Sequence, residues 1–334
     1  MQIKKFITAM EKEKFGGPRE VYKDVSKIVK ENYKAVNFTF IEEEMSEELG
    51  RIIKRYLLSN GISSISELER NKAIILQIAN KFFILGTTYY YRNWADISQG
   101  LEEIHKRLIT KKPIKVKVFA CSTGEEVITY ALHFLEMGIK DFYILGSDIN
   151  PNYIQKANTF KYLEERIERL PDEKKKLVYK YFERDSEGYL VPKDISFFKE
   201  HIRYFVQDIT KTLPKLSGYF KPPYDIVNIQ NVLNYIDISA ILKNLEYWLS
   251  LVDTGGLLVL RDRIYSPHYF KKSSLYTKFV IINGSCAVKY FDKDNIKGLI
   301  EIYRERINKN HDFFSYLFLS NILEMREKWD DCYA

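Results

Sequence analysis

The residues best placed to do chemistry stand at the ends of short apolar runs. KVKVFA (115–120) ends in the small polar turn Cys121-Ser122-Thr123-Gly124, and Glu125 and Glu126 follow at the start of a helical pattern, Glu125–Met137. Unpaired N–H groups at a helix N-terminus welcome phosphate. Two carboxylates on the first turn repel a pyrophosphate and favour a ligand with a cationic amino group. Asp148 closes the next run, DFYILGSDIN, where a carboxylate suits the hydroxyls of a ribose. An acidic first turn and a ribose acid together fit S-adenosylmethionine (SAM), whose zwitterionic tail and sulfonium need no phosphate cradle. Spacing alone equally allows two glutamates that complement a helix dipole and a loop aspartate.

Other chemistries find little support. Cys121, Cys286 and Cys332 are far apart and form no CxxC pair, so neither a disulfide framework nor a cysteine zinc site is expected. His105, His133, His201, His268 and His311 are scattered, and no metal site is expected. The opening residues lack the apolar stretch of a signal peptide, and no run approaches the ~20 apolar residues that cross a bilayer. A cytoplasmic chain without membrane insertion is the expectation.

The elements that position these residues follow from periodicity. Up to about Leu85 the pattern is helical: Leu49, Ile52, Ile53, Tyr56 and Leu57 form a stripe in Glu48–Leu58, with Arg51, Lys54 and Arg55 on or beside the other face. Asn60-Gly61 ends that helix, and another spans Asn71 to Phe83. From Lys115 strands alternate with helices: KVKVFA, DFYILGSDIN, IRYFVQDI (202–209), PYDIVNIQNVLNYI (223–236) and LLVLRD (257–262). FVIINGSCAVKYF (279–291) is a hairpin turning near Asn283-Gly284. This order predicts an α/β fold, a doubly wound and mostly parallel sheet. Residues 160–200 break the alternation and are expected to be an insertion: a charged helix (Pro171–Phe182), a turn at Asp185–Gly188 and extended pieces in GYLVPKDISFF. Residues 292–334 return to helical spacing as a C-terminal extension whose aromatics (Phe313, Phe314, Tyr316, Phe318) pack on the core or meet a partner.

Composition agrees with a folded chain. Of 334 residues, 46% are apolar and 15% aromatic, which excludes global disorder. A net charge of +7 is a mild preference for acidic partners, well short of a nucleic-acid-binding stripe. Nothing in the sequence sets an oligomeric state.

Five segments in order resemble the CheR family, the chemoreceptor glutamate methyltransferases. CSTGEE is similar to its first motif, and GTTYYYRNW (86–94) to its N-x-T-x-F-F-R, with Thr88, Tyr90, Tyr91 and Arg92 in matching places. SDIN (147–150), YDIVNIQNVLNYI (224–236; family pattern near FDAIFCRNVLIYF) and GGLLVL (255–260) follow, and the tail hairpin matches the family's last strands. The order holds from about residue 25 to 291. The resemblance implies an N-terminal helical module (1–85), a linker with the T-x-Y-Y-R motif (86–114), a class I SAM-dependent methyltransferase domain (115–291) and a small inserted β-subdomain. It places SAM among Thr88, Arg92, Glu126, Asp148, Asp208, Ile209, Gln230 and Asn231, and Tyr235 near the transferred methyl, so Arg92 and Tyr235 are the expected catalytic pair. It implies a chemoreceptor cytoplasmic helical bundle, long and acidic, as partner; the basic face Arg51, Lys54 and Arg55 is either a surface that steers to such a bundle or a solvated helix face.

Departures from the family pattern are Gly86 for an asparagine, Gln230 for an arginine, RDRIYS (261–266) for a G-H-S-E-like segment, and an insertion without the glycine-proline segment of some relatives. Two other readings stand beside the receptor enzyme: a SAM-binding regulatory module without turnover, and a methyltransferase for another protein or small molecule.

Overall fold

In the computed structural model, which describes residues 15–32, 43–79, 88–168, 170–262, 275–291, 295–310 and six positions between 315 and 323, the chain forms two units. One comprises Met1–Gly86 with Tyr235–Asp237; the other comprises Thr87–Asn234 and Ile238–Ala334.

The described part of the first unit is helical: α1 (Pro18–Asn32), α2 (Glu43–Ser59), α3 (Ile65–Glu69) and α4 (Lys72–Ile78). Ile53 and Leu57 of the expected stripe are fully buried with Val21, Val25 and Ile28 of α1, and Leu49 and Tyr56 pack partly against them. Ile52 departs from the stripe and is exposed. Past Ser59 the chain leaves the helix through Gly61 at φ +77°, with the Ile62 N–H reaching back to Leu57 O (3.0 Å), a left-handed stop that glycine makes without a Cβ clash. The expected continuation of α4 to Phe83 lies outside the described residues.

The second unit is built on a seven-stranded sheet. After α5 (Trp94–Glu103) and α6 (His105–Thr110) come β1 (Ile114–Phe119), α7 (Glu125–Glu136), β2 (Phe142–Asp148) and α8 (Pro151–Thr159). Later come β6 (Ile202–Val206), β7 (Tyr224–Gln230), α11 (Ile238–Ser250), β8 (Val252–Arg261), β9 (Phe279–Ile281) and β10 (Cys286–Lys289). The order is β6-β2-β1-β7-β8-β10-β9. All pairings are parallel except those of β10, which runs antiparallel to β8 and β9. Strand order reverses between β1 and β7, so the loops leaving them diverge and open a crevice at their carboxyl ends. Alternation sets the layers: Val116 and Val118 join one core with Ile97 and Leu101 of α5 and Val127 and Ile128 of α7. This is the doubly wound, class I methyltransferase-like sheet expected from the sequence.

Between α8 and β6 sits the insertion. β3 (Tyr162–Leu163), β4 (Phe182–Arg184) and β5 (Tyr189–Pro192) form a three-stranded antiparallel sheet in the order β3-β5-β4, with α9 (Asp172–Tyr181) between β3 and β4. The extended reading of GYLVPKDISFF is right for β5 and wrong beyond it. Asp194 accepts from the Phe197 N–H (3.0 Å) and starts α10 (Ile195–His201), an aspartate N-cap that outweighs the β-leaning Ile and Phe residues.

At the far sheet edge, α13 (Ile296–Asn310), which follows α12 (Leu275–Lys278), packs back on the unit. Leu299, Ile300 and Tyr303 are buried, and the Ile281 N–H on edge strand β9 donates to the Tyr303 hydroxyl (2.6 Å). The start of the extension thus covers an edge that would otherwise invite pairing. Phe313, Phe314 and Phe318 lie outside the described residues; Tyr316 is exposed.

Candidate functional site: a cofactor crevice at the strand ends

The turn after β1 is the most contorted stretch of the second unit. Ala120 (φ 50°), Ser122 (φ 50°) and Gly124 (φ 97°) are all left-handed. Gly124 is obligatory twice over, because a Cβ there would also stand 2.7 Å from the Tyr204 hydroxyl. Such backbone persists only where the surroundings hold it, and it gathers at functional sites. Asp148 is the main holder: its Oδ2 accepts from the Ser122 N–H (2.8 Å) and its Oδ1 from the Asn150 N–H (2.9 Å). A carboxylate has about four lone-pair positions, so two N–H bonds leave acceptor capacity for ligand hydroxyls. Burial raises the Asp148 pKa, and the N–H groups of Asn150 and Ser122 pull it back.

Glu126, on the first turn of α7, is buried and pushed up to about 7 by that burial, against the opposing pull of the Asn228 amide and the Arg92 charge. Gln230, the last residue of β7, donates from Nε2 to Glu126 Oε1. Its own Oε1 accepts from Asn93 Nδ2 (3.2 Å). Three segments, 88–94, α7 and the end of β7, therefore converge on one acid. Tyr91 and Asn93 are left-handed, as is Asn231, whose N–H donates to Arg261 O (2.7 Å). The Arg92 guanidinium lies 5.3 Å from the centre of the Tyr89 ring. Tyr90 is buried in the core and Tyr89 is exposed, so the aromatic run both anchors this segment and presents a face.

Among the described residues, three buried polar atoms here have no partner: Thr88 Oγ1, Ser122 Oγ and Asn228 Oδ1. Buried polar groups are nearly always satisfied, so atoms left over at one crevice mark where a polar ligand belongs. Their mix of donors and acceptors, beside two acids, fits the amino, carboxylate and ribose groups of SAM.

The remaining expected residues are less convergent. Asp208 Oδ1 is engaged by the N–H and hydroxyl of Thr210 (2.8 and 2.7 Å). Ile209 is buried, with its carbonyl accepting from Trp248 Nε1 (3.2 Å). Both follow β6, beside the end of β2. Tyr235 closes a short 3-10 turn after β7 (Leu233–Tyr235) and groups with the first unit. Gly86 and residues 263–266 lie outside the described residues. Arg261 pairs with Asp96, and Asp262 accepts from the Asn234 N–H (3.0 Å).

Sequence reasoning missed Asn93, Asn228 and Arg166. Asn93 and Asn228 flank expected site residues, which was the available signal; Arg166 had none. No group of three or more metal-ligating side chains occurs among the described residues.

The model of the CheR methyltransferase SAM-binding domain matches residues 86–279, more than half of the chain. The chain belongs to the CheR methyltransferase family. It is thus a SAM-dependent methyltransferase, and SAM is its cofactor. The CheR match begins at the segment carrying Thr88 and Arg92 and takes in both turns held by Asp148. A "Chemotaxis protein methyltransferase" of Campylobacter jejuni subsp. jejuni (serotype O:2) is 26% identical over 240 residues, covering 71% of this chain and 86% of that protein. The protein of the same name from Listeria monocytogenes serovar 1/2a is 21% identical over 217 residues, covering 64% and 78%. Among solved structures, the plantazolicin methyltransferase BpumL in complex with SAH aligns at 13% identity and a TM-score of 0.26, over 48% of this chain and 43% of that one. The fold assignment rests on the strand order above.

Proposed function

We propose that the protein transfers the methyl group of SAM to glutamate side chains of chemoreceptor cytoplasmic domains, forming methyl esters, and that it works in the cytoplasm. The observation that carries this reading is the crevice itself: Asp148 ordering two turns, Glu126 buried with neutral hydrogen-bond partners at the strand ends, and Arg92 on the adjoining segment. The names of the relatives point the same way.

SAM supplies a methyl group on a cationic sulfur, open to attack by an anion. A glutamate side chain is already ionised near neutral pH, with an ordinary pKa of about 4.3, so no general base is required. Opposite charges neutralise as the reaction proceeds, and water that solvates them opposes it. The protein's tasks are therefore to exclude water and align the incoming carboxylate; such alignment reaches effective molarities of about 10⁵–10⁸ M. Asp148 is assigned to the ribose, Glu126 to the cationic end of the ligand, and Thr88, Ser122 and Asn228 to its remaining polar atoms. Arg92 orients the incoming carboxylate or holds the cofactor, and Tyr235 lines the sulfur. Arg51 and Arg55 are exposed on α2, and with Lys54 they steer an acidic helical bundle by charges that reach about 8 Å at physiological salt.

The test is transfer of labelled methyl from SAM to a receptor cytoplasmic domain of the same genome. Base-labile label on glutamate supports the reading. Label on a different acceptor, or none in a protein that binds S-adenosylhomocysteine (SAH), overturns it.

A further inference from the structure

Arg166 lies in the 3-10 turn Glu164–Ile167 of the insertion, directly after β3. Its guanidinium donates to the main-chain oxygen of Thr88 (3.1 Å) and to Thr123 Oγ1 (3.1 Å), and it pairs with Glu125 Oε1. One side chain thus joins the segment carrying Thr88, the turn after β1 and the first turn of α7. Glu125 is buried, and its other oxygen accepts from Thr123 Oγ1 (2.6 Å). Burial raises its pKa and the Arg166 charge lowers it again. A second contact fixes the same module: the Tyr162 ring meets Tyr90 edge-on at 5.9 Å, and its hydroxyl is 3.4 Å from that of Tyr204, the residue that crowds Gly124.

The two adjacent glutamates are therefore not equivalent. Glu125 is neutralised from inside the protein, by a cation that the insertion supplies. Among the described residues Glu126 makes no such ion pair: Gln230 and the Asn228 amide give it neutral hydrogen bonds, and the Arg92 charge also acts on it. That leaves Glu126 as the acid available to a cationic ligand.

We propose that Arg166 is a positioning residue for the methyl donor, acting through the Thr88 main chain and the β1–α7 turn, and that the insertion thereby forms part of the cofactor site. This rests on the assignment of Thr88 and that turn to SAM. All three contacts meet one terminal nitrogen, Nη1, which the rigid guanidinium plane holds in place, whereas a lysine ammonium is a point charge on a flexible stem.

Three variants test it by calorimetric titration with SAH, thermal unfolding, and KM for SAM against kcat. Arg166→Lys keeps a cation beside Glu125 and is expected to unfold like wild type while binding SAH several-fold more weakly. The pair Arg166→Met/Glu125→Gln leaves no buried charge unpaired; it is expected to keep its unfolding midpoint, to lose about tenfold in SAH affinity and to raise KM for SAM with little change in kcat. Asp148→Ala reports on the assignment itself. SAH affinity within twofold of wild type in Arg166→Lys, and in the double variant if it folds, overturns the inference when Asp148→Ala has lost binding. If Asp148→Ala also binds like wild type, the cofactor assignment falls and this inference falls with it.

Discussion

Gln230 donates an amide hydrogen to the carboxylate of Glu126. The contact ties the end of β7 to the first turn of α7 with a neutral side chain, where the family pattern has an arginine. Glu126 is left buried and undercompensated, and burial pushes it up to about 7.

A pH dependence follows. Between the ordinary glutamate value and about 7 the folded protein holds a proton on Glu126 that the unfolded chain has released, so this group's contribution to stability falls as pH rises through that window. A cationic ligand has the opposite preference and binds more tightly as Glu126 ionises. SAH affinity is expected to rise between pH 6 and pH 8, approaching tenfold per unit (about 1.4 kcal/mol) on the acid side. Glu126→Gln flattens both trends. Wild-type affinity that is constant over this range contradicts the assignment.

Asp148→Ala should weaken SAH at least tenfold, since each hydrogen bond to a charged group contributes about 1.5–3 kcal/mol. It also frees the N–H groups of Ser122 and Asn150, so the variant should unfold at a lower temperature. Asp172, at the start of α9 with a side chain 90% exposed, is the control: its replacement by alanine should leave the titration unchanged.

At the opposite end of β7, Asp225 is fully buried. It accepts from Arg107 Nε (2.8 Å), Lys111 Nζ (2.7 Å) and the Lys115 N–H (2.9 Å), and Asp253 shares the two cations. Asp225→Ala strips one acid from this cluster and is expected to cost about 3–5 kcal/mol in urea unfolding, the usual toll of a broken buried pair. Because the cluster sits away from the strands' carboxyl ends, SAH affinity of the folded variant should stay near wild type. A large loss of affinity without a loss of stability would refute a purely structural role.

The order of the sheet was legible in the sequence because its buried strands are short β-branched runs bounded by turn residues, and KVKVFA, DFYILGSDIN and YDIVNIQ all became strands. Asp148 was legible for a similar reason: a strand's last residue points to the crevice whatever the rest of the fold does. What stayed hidden depends on contacts far apart in the chain. Lys117 is a lysine within the run KVKVFA whose burial no local signal marks: it is fully buried, bonded to Ser147 Oγ and 4.2 Å from the Phe119 ring centre, with its pKa lowered to about 7 by burial. Arg166 was one charge among many in a charged insertion, and only the folded chain brings it to Glu125. Ile52 fitted the helical period and still faces outward, since period names a face and not its width.

Replacing Arg51, Lys54 and Arg55 together by alanine should raise the receptor KM and flatten its dependence on salt, while SAH affinity stays constant. Arg51 already pairs with Glu47 (2.6 Å), so part of its charge is spent within α2 and the effect of Arg55 should exceed it. Identical receptor methylation by wild type and triple variant across a salt series would make this face a solvated bystander.

The central claim is tested most directly by incubating wild type and Arg92→Ala with methyl-labelled SAM and a receptor cytoplasmic domain, then treating the receptor with mild base. The account predicts that wild type labels the receptor and that base releases the label as methanol, as a glutamate methyl ester requires. It also predicts that Arg92→Ala loses transfer by orders of magnitude with a much smaller loss of SAH affinity. A wild type that binds SAH but leaves the receptor unlabelled, or a label that survives base, would contradict it.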